Sequence, residues 1–220
     1  MKSSLRNTLY LNLNNYTINI DFYNFGDDQM NTLNYSVAIS LISAFLWTNT
    51  TLAADKVAGE QQAANCIGCH GSIGHGGHAD HNPAPNLYAQ QPGYLINQLN
   101  AFKTGERSNA LMKAMASNLS DDDIKNLAAY FSSAPTIKTE TNVALAKVGQ
   151  AKASMCLGCH GPNAEGNGQF PRLAGQRADY LVNQLASFKA GVRKNGQMQA
   201  IANTLSDEDM QALAAYFAGL

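Results

Sequence analysis

Cys66-Ile67-Gly68-Cys69-His70 and Cys156-Leu157-Gly158-Cys159-His160 hold all four cysteines of the 220-residue chain. In each, a histidine directly follows the second cysteine. Cys-x-x-Cys-His is the attachment motif of a c-type haem. Two thiols can add across the two vinyl groups of one porphyrin, and the adjacent histidine then sits under the iron as an axial ligand. The doubled motif predicts two covalently bound haem c groups, one on Cys66 and Cys69 with His70, the other on Cys156 and Cys159 with His160. Other uses of paired cysteines fit less well. A disulfide framework has no need of a histidine after each pair. Zinc sites built from two such pairs space them by about 15–20 residues, whereas 86 residues separate these. A thioredoxin-like pair belongs near a βαβ pattern, and no stretch of the sequence reads convincingly as a strand.

Downstream of each motif the chain repeats itself. Tyr94-Leu95-Ile96-Asn97-Gln98-Leu99-Asn100-Ala101-Phe102-Lys103-Thr104-Gly105 matches Tyr180-Leu181-Val182-Asn183-Gln184-Leu185-Ala186-Ser187-Phe188-Lys189-Ala190-Gly191. Leu127-Ala128-Ala129-Tyr130-Phe131 matches Leu213-Ala214-Ala215-Tyr216-Phe217. The motifs are offset by 90 positions and these later segments by 86, so the first copy carries four extra residues between His70 and Tyr94. Two copies of one unit predict tandem domains.

Each copy reads as three helices. The first precedes the motif, near residues 57–65 and 144–155. The second carries Leu95, Leu99 and Phe102, or Leu181, Leu185 and Phe188, at spacings that put the apolar groups on one face. Gly105 and Gly191 are placed to end it. The third starts at Ser120 or Ser206, with Asp123 or Asp209 three residues on, a near capping box with acid in the first turn. Its inner face is Ile124, Leu127, Ala128 and Phe131, repeated as Met210, Leu213, Ala214 and Phe217. The polar stretch from Ser132 to Asn142 reads as the linker. The expected fold is all-α: two domains, residues 55–137 and 138–220, each wrapped around one haem that completes a small core.

Residues 1–54 read as a leader. An asparagine-rich start precedes an apolar stretch at residues 37–47 and the small residues Ala53-Ala54. A short apolar core ending in small residues is the pattern of a secretory signal peptide, and it is shorter than the roughly 20 residues a membrane span needs. Export is expected, with Met30 as an alternative start and a retained anchor as the competing reading. Cleavage near Ala53 or Ala54 leaves, from Asp55 on, a chain with 13 basic and 13 acidic residues, −2 in the first domain and +2 in the second. Nothing in that balance suits nucleic-acid binding.

The sixth position of each iron separates a carrier from an enzyme. A methionine sulfur closes the site and raises the potential, whereas an open position permits oxygen or peroxide chemistry. Met198 is the only methionine between the second motif and the last helix. The first copy offers Met112 and Met115. Met112 aligns with Met198 at the offset of 86, and Met115 aligns with Ile201, so Met112 and Met198 are the expected ligands opposite His70 and His160. No Ser-His-Asp set, catalytic carboxylate pair or glycine-rich phosphate loop accompanies them, which points away from an enzyme.

From Cys66 to Phe131 and again from Cys156 to Phe217, the chain resembles class I cytochrome c domains. The tandem arrangement, with Pro171-Arg172-Leu173-Ala174-Gly175-Gln176 and the Leu-Ala-Ala-Tyr-Phe endings, resembles the dihaem cytochrome c4 family. That resemblance implies that Pro171 offers its carbonyl to His160, and Pro85 to His70, orienting the imidazoles and raising their basicity. It implies a periplasmic carrier of single electrons, loosely associated with the membrane, between a quinol–cytochrome c reductase and a haem–copper terminal oxidase. An alternative role is the haem c subunit of a dehydrogenase complex such as flavocytochrome c sulfide dehydrogenase. Two features of the first copy depart from the pattern. Tyr88-Ala89 stands where Ala-Gly is expected, and the loop after His70 holds His75, His78 and His81 beside Asp80, which reads as a solvated, glycine-rich loop, with a spacing that could also capture a metal ion.

Overall fold

The computed structural model describes residues 6–13, 16–23, 54–72, 84–136 and 139–220. The apolar stretch at residues 37–47, the cleavage position at Ala53 and the histidines His75, His78 and His81 lie outside the described residues. The chain divides into two compact units, Met1–Thr51 and Leu52–Leu220.

In the first unit, β1 (Arg6–Leu13) pairs antiparallel with β2 (Tyr16–Tyr23), Leu9 opposite Ile20 and Leu11 opposite Ile18. This corrects the reading that found no strand. Leu9, Leu11 and Leu13, and then Ile18, Ile20 and Phe22, alternate with polar residues at the period of a strand, a pattern obscured by the asparagines between them.

The second unit is all-α among its described residues and holds two lobes. The first lobe contains α1 (Lys56–His70), α2 (Pro92–Thr104), α3 (Ala110–Ala116) and α4 (Asp121–Ser133). The second contains α5 (Val143–Lys152), α6 (Ser154–His160), α7 (Ala178–Lys189), α8 (Gly196–Asn203) and α9 (Asp207–Ala218). Each lobe has its own core. Ala63, Tyr88, Leu95, Leu127 and Phe131 centre the first, and Ala153, Leu181, Met210, Leu213 and Phe217 the second.

The expectation of three helices per copy is too few, because α3 and α8 were not foreseen. Each is held by an asparagine cap: Asn109 Oδ1 accepts from the Met112 N–H (2.8 Å), and Asn195 Oδ1 from the Met198 N–H (2.9 Å). Helix α1 also runs through the first motif to His70, where the sequence reading stopped it near residue 65. In the second lobe the same path breaks at the fully buried Ala153 and resumes as α6.

The remaining terminators agree with the sequence reading. Ser120 with Asp123 and Ser206 with Asp209 form complete capping boxes. Gly105 and Gly191 take φ of 84° and 70°, the left-handed region that favours glycine. Because α4 continues through Ser133, the connection between lobes is shorter than expected. Its end is tied to the second lobe, where Thr139 Oγ1 donates to the Gly175 carbonyl (2.9 Å) and Thr141 Oγ1 to the Ala215 carbonyl (2.7 Å).

Two glycines set the helix crossings. Gly59 on α1 lies against the Asn126 carbonyl of α4, and Gly149 on α5 against the Ala212 carbonyl of α9. A Cβ on Gly59 would stand 2.1 Å from that oxygen, and one on Gly149 1.9 Å from its counterpart. The two positions are repeat-equivalent, so both lobes close on their C-terminal helix in the same way.

The departure at Tyr88-Ala89 keeps the backbone of the second copy. Ala89 takes φ 56° and Gly175 φ 70°. The Ala89 N–H donates to the Phe131 carbonyl and the Gly175 N–H to the Phe217 carbonyl, each at 2.9 Å. Tyr88 packs edge-on against Phe131, with ring centroids 5.4 Å apart, and its hydroxyl donates to the Gly71 carbonyl (2.9 Å). Burial, with Tyr130 beside it, pushes the phenol pKa up to about 12, so it stays a donor.

Candidate functional site

The first motif forms the last turn of α1, where the spacing i, i+3, i+4 puts Cys66, Cys69 and His70 on one face of the helix end. The second motif does the same on α6. None of the four cysteines is paired in a disulfide, and Cys69 is exposed and the others partly so. Burial raises the Cys66 and Cys156 thiols above the ordinary range, and the neighbouring Cys69 and Cys159 add to the rise.

Both histidines are buried. His70 Nδ1–H donates to the Pro85 carbonyl and His160 Nδ1–H to the Pro171 carbonyl, each at 2.8 Å. A carbonyl can only accept, so each ring carries its proton on Nδ1 and keeps Nε2 bare for a metal. Burial lowers both imidazole pKa values, partly opposed by the proline carbonyls. The neutral form that binds metal is therefore the one favoured.

The cysteines and histidines open onto a cavity of about 1220 Å³ that runs through both lobes. Met112 and Met198 line it, each at the third position of its capped helix, and so does Met115 one turn further along α3. Met115 is 41% exposed, while Met112 and Met198 are half-buried. Phe170 stands edge-on to the His160 ring, with centroids 6.2 Å apart.

The seam between the lobes is built from repeat-equivalent residues, a feature the sequence reading missed. Arg107 donates to Gln98 of its own lobe (2.6 Å) and to Tyr180 (3.0 Å) and Gln184 (2.8 Å) of the other. Arg193 mirrors it, donating to Gln184 (2.7 Å), Tyr94 (2.8 Å) and Gln98 (2.9 Å). Each guanidinium also stacks on its own phenylalanine, Phe102 or Phe188, 4.6 Å from the ring centroid. Burial tends to raise the Tyr180 phenol, but the two guanidiniums outweigh it and bring the pKa below the ordinary value. A second set of bonds lies closer to the histidines. The side-chain amide of Gln90 brackets the backbone of Arg172, and that of Gln176 brackets the backbone of Asn86. Tyr94 with Tyr180, Gln98 with Gln184, Arg107 with Arg193 and Gln90 with Gln176 are identical pairs at the offset of 86. That identity was the signal for a lobe interface with two-fold character.

The family model described as "Cytochrome c" matches the chain twice, over residues 57–135 and 146–220. Cytochrome c4 of Pseudomonas aeruginosa is 37% identical over 187 residues, covering 76% of this chain and 90% of that protein. A thiosulfate dehydrogenase electron acceptor of Thiomonas intermedia is 34% identical over 204 residues, covering 83% of this chain and 89% of that protein. The crystal structure of reduced recombinant cytochrome c4 from Pseudomonas stutzeri superposes with a TM-score of 0.68 at 36% identity, over 76% of this chain and all of that one. The chain belongs to the cytochrome c family, in its two-domain cytochrome c4 group.

That group comprises electron carriers, and the family carries covalently bound haem c. The residues fit such a group. Two thiols flank a buried imidazole whose Nε2 is bare, facing an apolar cavity with a thioether at the same register in each lobe. Among the described residues, no cluster of three or more His, Cys, Asp or Glu could by itself hold a metal ion, and no helix is long and apolar enough to cross a membrane.

Proposed function

We propose that this chain is a periplasmic dihaem cytochrome that carries single electrons between respiratory proteins, with domains at residues 55–137 and 138–220 behind a leader at residues 1–54. Cys66 and Cys69 hold one haem, and Cys156 and Cys159 the other. His70 and His160 are the proximal ligands, fixed by the carbonyls of Pro85 and Pro171. Met112 and Met198 close the opposite positions. When bound, the two haems supply reversible one-electron chemistry. The protein's part is to hold imidazole and thioether rigidly, so that little moves when the charge changes, and to shut out oxygen and peroxide. The observation that carries this reading is the repeated constellation itself: a buried histidine with its Nδ1–H spent on a proline carbonyl, in a cavity that also holds a capped methionine, twice.

The donor is read as a quinol–cytochrome c reductase and the acceptor as a haem–copper oxidase. A second reading makes the chain the electron-accepting partner of a dehydrogenase, as the notion of a haem c subunit in a sulfide-oxidising flavocytochrome c also would. The likeness to the thiosulfate dehydrogenase electron acceptor favours it. Both readings need the same two centres. Intact-mass measurement of the exported protein should give the polypeptide plus two haems, and Cys156→Ala/Cys159→Ala should give one. A wild-type mass with a single haem overturns the proposal. Reduction by the purified reductase, or by a thiosulfate-oxidising enzyme instead, separates the two roles.

A further inference from the structure

Each proximal histidine is steered by a peptide group that the opposite lobe holds. The peptide joining Pro85 to Asn86 turns its carbonyl to His70 Nδ1–H (2.8 Å) and its N–H to Oε1 of Gln176 (2.8 Å). The peptide joining Pro171 to Arg172 turns its carbonyl to His160 Nδ1–H (2.8 Å) and its N–H to Oε1 of Gln90 (2.7 Å). One amide thus links a histidine in one lobe to a glutamine in the other, and the arrangement occurs twice. Neither glutamine is free to turn away. Gln90 Oε1 also accepts from the Gln91 N–H (2.9 Å), and its Nε2 donates to the Arg172 carbonyl (3.1 Å). Gln176 Oε1 also accepts from the Arg177 N–H (3.0 Å), and its Nε2 donates to the Asn86 carbonyl (2.9 Å). Both side chains belong to buried residues, 6% and 5% exposed.

Hydrogen bonds in a chain polarise one another, more so away from water. An acceptor at the amide N–H shifts electron density onto the carbonyl oxygen of the same peptide. That oxygen then draws harder on Nδ1–H, which makes Nε2 a stronger donor to a metal. The two-for-one geometry is not needed for docking alone, since Gln91 and Asn97 already bond across the seam to Glu165 and Gln169.

We infer that Gln90 and Gln176 are positioning residues that act across the lobe boundary, Gln90 on His160 and Gln176 on His70, so that docking of the lobes sets the redox centre on each side. This rests on the two-haem reading above. A stronger imidazole donor favours the ferric state, so loss of the glutamine raises the midpoint potential, and it does so in the other lobe.

The test is a redox titration of the haem-loaded protein carrying Gln90→Met, with Gln176→Met as its reciprocal. Met112→His and Met198→His, each of which should lower one midpoint, assign the potentials to lobes. If neither moves a single midpoint, the axial-ligand reading fails, and that is recognised separately. Gln90→Met should shift the second-lobe equilibrium at least twofold toward ferrous, ~18 mV at 59 mV per decade, with the first lobe unmoved. The His160 Nδ1–H resonance of the reduced protein should move upfield alongside it. Gln91→Ala, which removes a bond across the seam without touching either peptide, should leave both potentials in place. Should one methionine variant fail to fold, its reciprocal carries the same crossed prediction. A shift confined to the mutated lobe, equal shifts in both, or an equal effect of Gln91→Ala overturns the inference.

Discussion

Gly149→Ala should destabilise the second lobe by about 3 kcal/mol or more, at the top of the usual range for overpacking. The added Cβ would lie 1.9 Å from the Ala212 carbonyl oxygen, 2.4 Å from its carbon and 2.9 Å from the Leu213 nitrogen. These are backbone atoms of a buried helix, so no side-chain rotation relieves the clash. Helices α5 and α9 must separate, and with them goes the packing of Ala153, Met210 and Leu213 in the core of the second lobe. Gly59→Ala should do the same to the first lobe. There the new Cβ meets the Asn126 carbonyl oxygen at 2.1 Å and the Tyr130 Cβ at 3.0 Å. For a lobe of this size, each kcal/mol moves the melting temperature by about 4–8 °C. Thermal unfolding of the haem-loaded variants should show a drop of at least about 10 °C in the affected lobe. A melting temperature within a degree or two of wild type would show that the crossing is looser than described.

Met198→Ala should open the second lobe to exogenous ligands, and Met112→Ala the first. Each variant should lose half of the far-red methionine-to-iron absorption. Each should bind carbon monoxide when reduced, at one haem of the two, with the midpoint of that haem falling because thioether ligation raises potential. Met115→Ala separates the two candidates of the first lobe. Met115 also lines the cavity, one turn further along α3, but it is 41% exposed and Met112 alone shares the register of Met198. Removal of Met115 should leave the absorption band and the ligand response unchanged. Carbon monoxide binding by the Met115 variant and not by the Met112 variant would reverse the assignment.

Much of this arrangement was legible in the sequence because it rests on short-range chemistry. The pentapeptide motifs, the Ser-x-x-Asp capping boxes and the helix-ending Gly105 and Gly191 each act within a few residues, so their spacing carries their meaning. The register of Met112 and Met198 was legible through the repeat. What escaped depends on partners distant in the chain. Gly59 and Gly149 sit in ordinary helical sequence, and only the approach of α4 and α9 shows why no side chain is tolerated there. Helices α3 and α8 are too short for an apolar period, and their one local signal, an asparagine three residues before each methionine, was passed over. The break at Ala153 has no counterpart in α1, so neither propensity nor the repeat announces it. Docking of the lobes was the largest gap. The pairs Tyr94 with Tyr180 and Gln98 with Gln184 were visible as repeat matches, but a repeat does not say which faces meet.

The central claim is that both irons are closed by histidine and methionine, and the absorption spectrum of the purified wild-type protein tests it most directly. The ferric protein should show two low-spin haems with the far-red methionine band, unchanged by peroxide, and the reduced protein should ignore carbon monoxide. A high-spin fraction, or ligand uptake at either haem, would contradict the account and make the chain, in one lobe at least, a site of chemistry.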